Sequence, residues 1–240
     1  MPDIAVLNSQ THRDLSVKTE AAARLGDGQR FVPVVVTEFS YLAAHYPILL
    51  SKDADTGVFY CGAMLGFDPG ENLFLDEGKG HDAYRPLNLR RGPFYTAGPD
   101  LAVDLAHPRV NAPGGLPLFS DEGQPTAYLE SIFAVMRDLR PGEEMTKVFI
   151  QTLLSLKLVE PVDINVGFDD GTTRDVQGLY TISQDVLREL PDDKIVELFR
   201  RGYLQLIYLI IGSLKQVPVL ARRKNLRLLQ GSEALMGALG

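Results

Sequence analysis

The residues able to do chemistry are few and scattered. Four histidines, His12, His45, His81 and His107, share no local metal-ligand spacing. A two-histidine, one-carboxylate iron site would have to assemble in space from His45, His81 or His107 with Asp82 or Asp104. Adjacent His81-Asp82 does not supply it, because neighbouring side chains on a strand point to opposite faces. Surface or structurally hydrogen-bonded histidines are the simpler reading, so no metal is expected. Cys61, the single cysteine, lies in Val58-Phe59-Tyr60-Cys61-Gly62-Ala63-Met64 and reads as a buried, inert thiol. The chain has no Gly-x-Ser-x-Gly elbow, no Walker loop and no Gly-x-Gly-x-x-Gly fingerprint. Gly26-Asp27-Gly28 precedes a strand and reads as a turn.

Binding chemistry has better candidates. Arg90-Arg91-Gly92-Pro93-Phe94-Tyr95 is the cation–aromatic cluster of the first half. An arginine beside aromatic rings can hold a carboxylate or a planar group. The competing reading is an edge strand with solvated arginines. Glu38 follows Thr37 in a short helix, where it either complements the helix dipole or binds. Asn72, in Pro69-Gly70-Glu71-Asn72, either braces a turn through its amide or faces a ligand. The candidate site is therefore Glu38, Asn72, Arg90, Arg91, Phe94 and Tyr95, with no cofactor expected.

The elements that position these residues follow from pattern. Phe31 to Val36 reads as a central buried strand, and Thr37 as the cap of a helix stopped by Tyr46-Pro47. His45 is expected to close that helix. Ile48–Leu50 and Val58–Leu65 read as strands across an Asp53–Gly57 turn, followed by strands at 94–96 and 101–105. Residues 107–125 are rich in Pro and Gly and mark a long loop or a subdivision of one domain. Beyond Pro125 the apolar spacing becomes helical: Tyr128 to Leu139, ended by Pro141-Gly142, then Met145 to Leu156. Val162–Phe168 and Leu179–Ile182 form a hairpin over Asp170-Gly171, and Ser183 caps a short helix. One last helix, from Asp192 or Asp193 to Leu214, is apolar around most of its circumference and is expected at the centre of the core. Gly202 and Gly212 inside it point to close backbone packing. The predicted class is α+β: a mainly antiparallel strand half packed with a helical half.

Composition excludes some roles. A net charge of -7 and a pI near 5.1 argue against nucleic-acid binding, which needs a basic surface. The cations of Ala221-Arg222-Arg223-Lys224-Asn225-Leu226-Arg227 read as a solvated tail or a contact for an acidic partner. The apolar block Tyr203–Leu214 covers twelve residues, short of the roughly 20 that span a membrane. The N-terminus does not read as a signal peptide, and the expected location is cytoplasmic.

The chain resembles the SapC family of bacterial proteins. The residues that carry this are Val32-Pro33-Val34-Val35 with Glu38, Tyr46-Pro47-Ile48, Gly70-Glu71-Asn72-Leu73-Phe74, and Tyr84-Arg85-Pro86 ahead of Leu89-Arg90-Arg91-Gly92-Pro93-Phe94. Further matches are Leu118-Phe119-Ser120-Asp121-Glu122-Gly123, Gly178-Leu179-Tyr180-Thr181-Ile182 and Arg201-Gly202-Tyr203-Leu204 with Ser213-Leu214. Order and spacing carry the likeness, over roughly residues 10 to 221. Where relatives have an aromatic after Gly80 this chain has His81, and where they have Tyr-Pro-Phe it has Gly92-Pro93-Phe94. The name implies a link to bacterial surface layers. Its members also resemble proteins encoded near TonB-dependent receptors, flavin-dependent halogenases and cupin-like proteins. The resemblance therefore implies a noncatalytic accessory or binding protein of a surface or nutrient-uptake system, with a protein or small-molecule partner. The alternatives are a metal-dependent oxygenase and a structural surface-layer component exported by a signal-less route.

Overall fold

The computed structural model describes residues 3–76 and 80–238. In chain order the strands and helices begin with β1 (Ile4–Val6), β2 (Ser16–Val17), β3 (Phe31–Pro33), α1 (Phe39–Leu42), β4 (Ile48–Lys52) and β5 (Phe59–Met64). Next come β6 (Leu75–Asp76), β7 (Gly80–His81), α2 (Leu87–Arg90), β8 (Phe94–Ala97), β9 (Asp100–Asp104) and β10 (Leu116–Pro117). The rest is α3 (Ala127–Ser155), β11 (Val159–Gly167), β12 (Thr173–Ile182), α4 (Gln184–Arg188), α5 (Asp192–Arg200), α6 (Tyr203–Ser213) and α7 (Gln216–Ala238). This is an α+β fold. Its main sheet is five-stranded and antiparallel, in the order β11-β12-β4-β5-β3.

Two hairpins share one turn chemistry. At β4–β5, the Asp53 carboxylate accepts the Thr56 amide at 2.8 Å and its hydroxyl at 2.7 Å, and Gly57 takes φ +69°. At β11–β12, Asp170 accepts the Thr172 amide at 2.9 Å and its hydroxyl at 2.7 Å, with Gly171 at φ +81°. These bonds hold both carboxyls below the usual aspartate range.

The strand expected at the centre lies at an edge. β3 is outermost because Pro33 has no N–H to give a further neighbour. Thr37 does not cap the helix that follows. It is exposed, and the Val35 amide donates to the Glu38 carboxylate at 3.3 Å instead.

The two helices expected around Pro141-Gly142 are one. Pro141 removes one helical N–H donor, an interior penalty of about 3 kcal/mol. Packing on both sides of it offsets this. Leu129, Ile132 and Leu139 fill one apolar cluster with Phe94, Val103 and Leu118. Phe149, Ile150 and Leu153 fill a larger one with Phe39, Ile48 and Leu65. The 107–125 segment belongs to the smaller cluster through Leu118 and Phe119, and β10 pairs with β2. At the crossing between clusters, a Cβ on Gly142 would meet Val35 Cγ2 at 2.8 Å. The Thr146 hydroxyl donates to the Gly142 carbonyl at 2.6 Å and accepts the Val36 amide at 2.9 Å.

The last helix is also not as expected. Gly202 adopts φ +73° and separates α5 from α6. A Cβ at Gly202 or Gly212 would meet nothing within 4 Å, so neither glycine serves close packing. α6 turns Ile207, Ile210 and Ser213 inward, while Tyr208 is 58% exposed. It is therefore a one-faced helix rather than the central one. The Ser213 hydroxyl pins it to the sheet by accepting the Ile48 amide at 2.8 Å. By length and composition, the run Tyr203–Gly231 is enough to cross a membrane, which the twelve-residue block alone is not.

The C-terminal cations are not a solvated tail. Arg223 pairs with Asp82 at 2.8 Å and lies 4.4 Å from the Phe74 ring centre. Lys224 bridges Asp68, at 2.8 Å, and Glu71. Arg227 donates to the carbonyls of Asn72, at 3.1 Å, and Leu75.

Candidate functional site

Glu38 is 1% exposed and fully engaged. Its carboxylate accepts the Leu87 amide at 2.7 Å, the Tyr84 hydroxyl at 3.1 Å and the Val35 amide at 3.3 Å. Burial raises its pKa above the usual glutamate value despite these donors and nearby Arg90. Burial and the Glu38 charge push the Tyr84 hydroxyl up to about 12. Tyr84 stacks on Tyr41 with ring centres 5.2 Å apart.

Through Leu87, Glu38 fixes α2 and so places Asn88. The Asn88 amide donates to the Pro33 carbonyl at 2.9 Å, and its oxygen accepts Arg91 Nε at 2.9 Å. The Arg91 guanidinium also donates to the Phe94 carbonyl at 2.7 Å and lies 4.2 Å from the Tyr95 ring centre. Arg90 is exposed. Of the six residues singled out by sequence, Glu38, Arg90, Arg91 and Tyr95 therefore gather around α2. The other two serve the scaffold with their side chains. The Phe94 ring is a fully buried member of the smaller cluster. Asn72 donates to the Asp27 carbonyl at 3.0 Å and accepts the Phe74 amide at 3.0 Å.

The oxygenase candidates are not brought together. His81 Nδ1 lies 3.1 Å from the Ala83 carbonyl, its ring stacks on Phe74, and burial lowers its pKa. His107 Nδ1 accepts the Arg109 amide at 3.2 Å, and the His45 ring packs edge-on to Tyr46. Asp82 is paired with Arg223, and Asp104 accepts the Asp3 and Ala106 amides. Among the described residues, no group of three or more His, Cys, Asp and Glu side chains is arranged to hold a metal ion.

Sequence reasoning missed the main polar hub. Asp27, read only as a turn residue, is 2% exposed. It meets Arg109 at 2.5 Å, Arg85 at 2.8 Å and the Ala22 amide at 2.9 Å. Arg109 also donates to the carbonyls of Lys18 and Glu20, each at 2.7 Å. A buried charge needs such pairing to be tolerated. The Asp27 carboxylate is fully paired, while Arg85 Nε is buried with no hydrogen-bond partner among the described residues; the hub ties the 18–27 segment to Arg85 and Arg109. Its arginines lie 58 and 82 residues from Asp27, so no local motif announces it.

An open groove of about 620 Å³ lies between α3 and the sheet. Val34, Phe59 and Cys61 line it from the sheet, and Ile150 and Leu154 from the helix. Asn88, Glu143, Thr146, Lys147 and Gln151 are polar residues of its lining, with the Tyr60 ring beside them. The Asn88 end is thus held in place by the Glu38–Leu87 and Arg91–Asn88 bonds. Burial pushes the Cys61 thiol up to about 12, so that wall is not nucleophilic.

Fold and site together define an α+β protein with a helix–sheet groove. The chain belongs to the SapC family, whose model, described as SapC, matches residues 7–220. No curated protein and no solved structure matches the chain.

Proposed function

We propose that the protein is a noncatalytic accessory protein of a bacterial surface or nutrient-uptake system, binding a small ligand in the α3 groove. The groove itself carries this reading. Its volume, about 620 Å³, falls in the range of small-molecule sites. Its walls are mostly apolar, with a few polar groups at hand to orient a guest. Glu38 and Asp27 are taken up by the scaffold, and the Cys61 thiol is held in its neutral form. The resemblance to proteins encoded near TonB-dependent receptors supplies the cellular setting.

The neutral fluorescent probe N-phenyl-1-naphthylamine tests the groove. The wild-type protein is expected to bind it saturably. Gln151→Trp, which fills the groove from an exposed helix position, is expected to lose that binding while keeping the wild-type circular dichroism. No binding by wild type, or equal binding by the folded variant, overturns the reading. Co-purification from native cells tests the setting: a surface or uptake protein should be recovered, and Arg90→Ala with Arg91→Ala should weaken its recovery.

A further inference from the structure

We propose that the groove takes a zwitterionic ligand with an apolar body, of the class of an amino acid bearing a large apolar side chain. This rests on the groove being a binding site, as argued above, and adds what it selects. Glu143 and Lys147 lie one turn apart on α3, and both line the groove. Glutamate four residues before lysine is the helical order that pairs well. Yet the two are not within 4.0 Å of each other, and neither forms another ion pair among the described residues. Both side chains are exposed at the mouth of the apolar wall, with the charge of Arg91 partly offsetting that of Glu143, and both are free to meet a ligand there.

The surroundings sharpen the preference. Burial raises the Glu143 carboxyl above its usual value, against the pull of Arg91 and with neighbouring Glu144 adding to the rise. An ammonium beside Glu143 relieves this. A ligand with only a carboxylate is drawn by Lys147 and repelled by Glu143. A ligand with only an ammonium meets the reverse. A neutral apolar guest leaves both charges unpaired and less hydrated. A zwitterion answers both, with its ammonium against Glu143, its carboxylate against Lys147 and its body against Val34, Phe59 and Ile150. Helix neighbours four apart have Cβ atoms about 5–6 Å from each other, a span that two long side chains can close over one amino-acid head group. Charge-assisted hydrogen bonds in such partly desolvated places are the stronger kind.

Calorimetric titration of the full chain with three ligands sharing one body tests this: L-phenylalanine, 3-phenylpropionate and 2-phenylethylamine. L-Phenylalanine is expected to bind about ten-fold or more tightly than either singly charged relative. Glu143→Gln should bring it down to the level of 3-phenylpropionate, and Lys147→Gln to that of 2-phenylethylamine. N-phenyl-1-naphthylamine should bind both variants at least as tightly as it binds wild type, since each variant removes a charge that a neutral guest leaves unpaired. If that probe binds wild type but the three ligands bind equally, or neither variant changes their order, the zwitterion proposal falls and the groove reading stands. If the probe does not bind wild type, both fall.

Discussion

The Leu87 amide donates to the Glu38 carboxylate at 2.7 Å, joining residues 49 positions apart. This bond sets α2 against the start of α1 and, through Asn88, fixes one end of the α3 groove. Glu38→Ala leaves three donors without an acceptor and is expected to lower stability by about 3 kcal/mol in urea unfolding. A loss below about 0.5 kcal/mol would show that the surroundings close over the gap.

The same carboxyl gives a pH dependence. Its folded pKa lies above the unfolded value near 4.5, so the native state holds this proton more tightly. The linked stability is full below that value and is lost as pH rises through the raised one. Glu38→Gln removes the titration. Wild type should therefore lose stability relative to Glu38→Gln as pH rises from about 4 to about 8. Parallel stability curves for the two proteins across that range would contradict this.

The glycines of the helical half should respond in opposite directions. Gly202 sits at φ +73°, where a side chain is strained by about 1–2 kcal/mol, so Gly202→Ala should destabilise by that amount. Gly212 lies within α6 with open space around its Cα, so Gly212→Ala should stabilise by up to about 1 kcal/mol. Thermal unfolding reads both, and shifts of the same sign would count against the assigned conformations.

The Cys61 thiol, buried and shifted to about 12, should stay unreactive toward a disulfide reagent in the native protein and react fully in denaturant. Fast labelling of the folded chain would place the thiol in solvent instead.

α7 is attached through Leu220, Val217 and Ala221 packed on the core and through its cations, of which Lys224 pairs with two carboxylates. Lys224→Met should speed amide exchange along residues 216–231, with roughly 1 kcal/mol lost, and added salt should do part of the same to wild type. Exchange unchanged in both experiments would locate the attachment in apolar contacts around Leu220.

What could be read from sequence was local. The two hairpins were legible because Asp53–Gly57 and Asp170-Gly171 carry their turn chemistry within a few residues. The buried state of Cys61 followed from its apolar neighbours. Pro141 and Gly202 misled because their effects depend on context. Pro141 sits inside a helix held by two apolar clusters, whereas Gly202 breaks one through a backbone angle that residue type does not reveal. The cations of α7 were read as solvated because their acceptors lie about 140 residues or more away in sequence. The groove was not legible: none of the six residues singled out lines it, and it depends on α3 crossing the sheet, which no spacing within either element encodes. No local pattern singles out Glu143 and Lys147.

The edge position of β3 has a consequence for how copies of this chain meet. Pro33 offers no amide outward, and its carbonyl is already taken by Asn88. At the opposite edge, β11 carries Pro161, exposed Glu160 and Asp163, and an irregular register between Val162 and Ile164. Such features blunt strand edges against fibre-like growth. The main sheet is thus a poor template for intermolecular strand addition at either end.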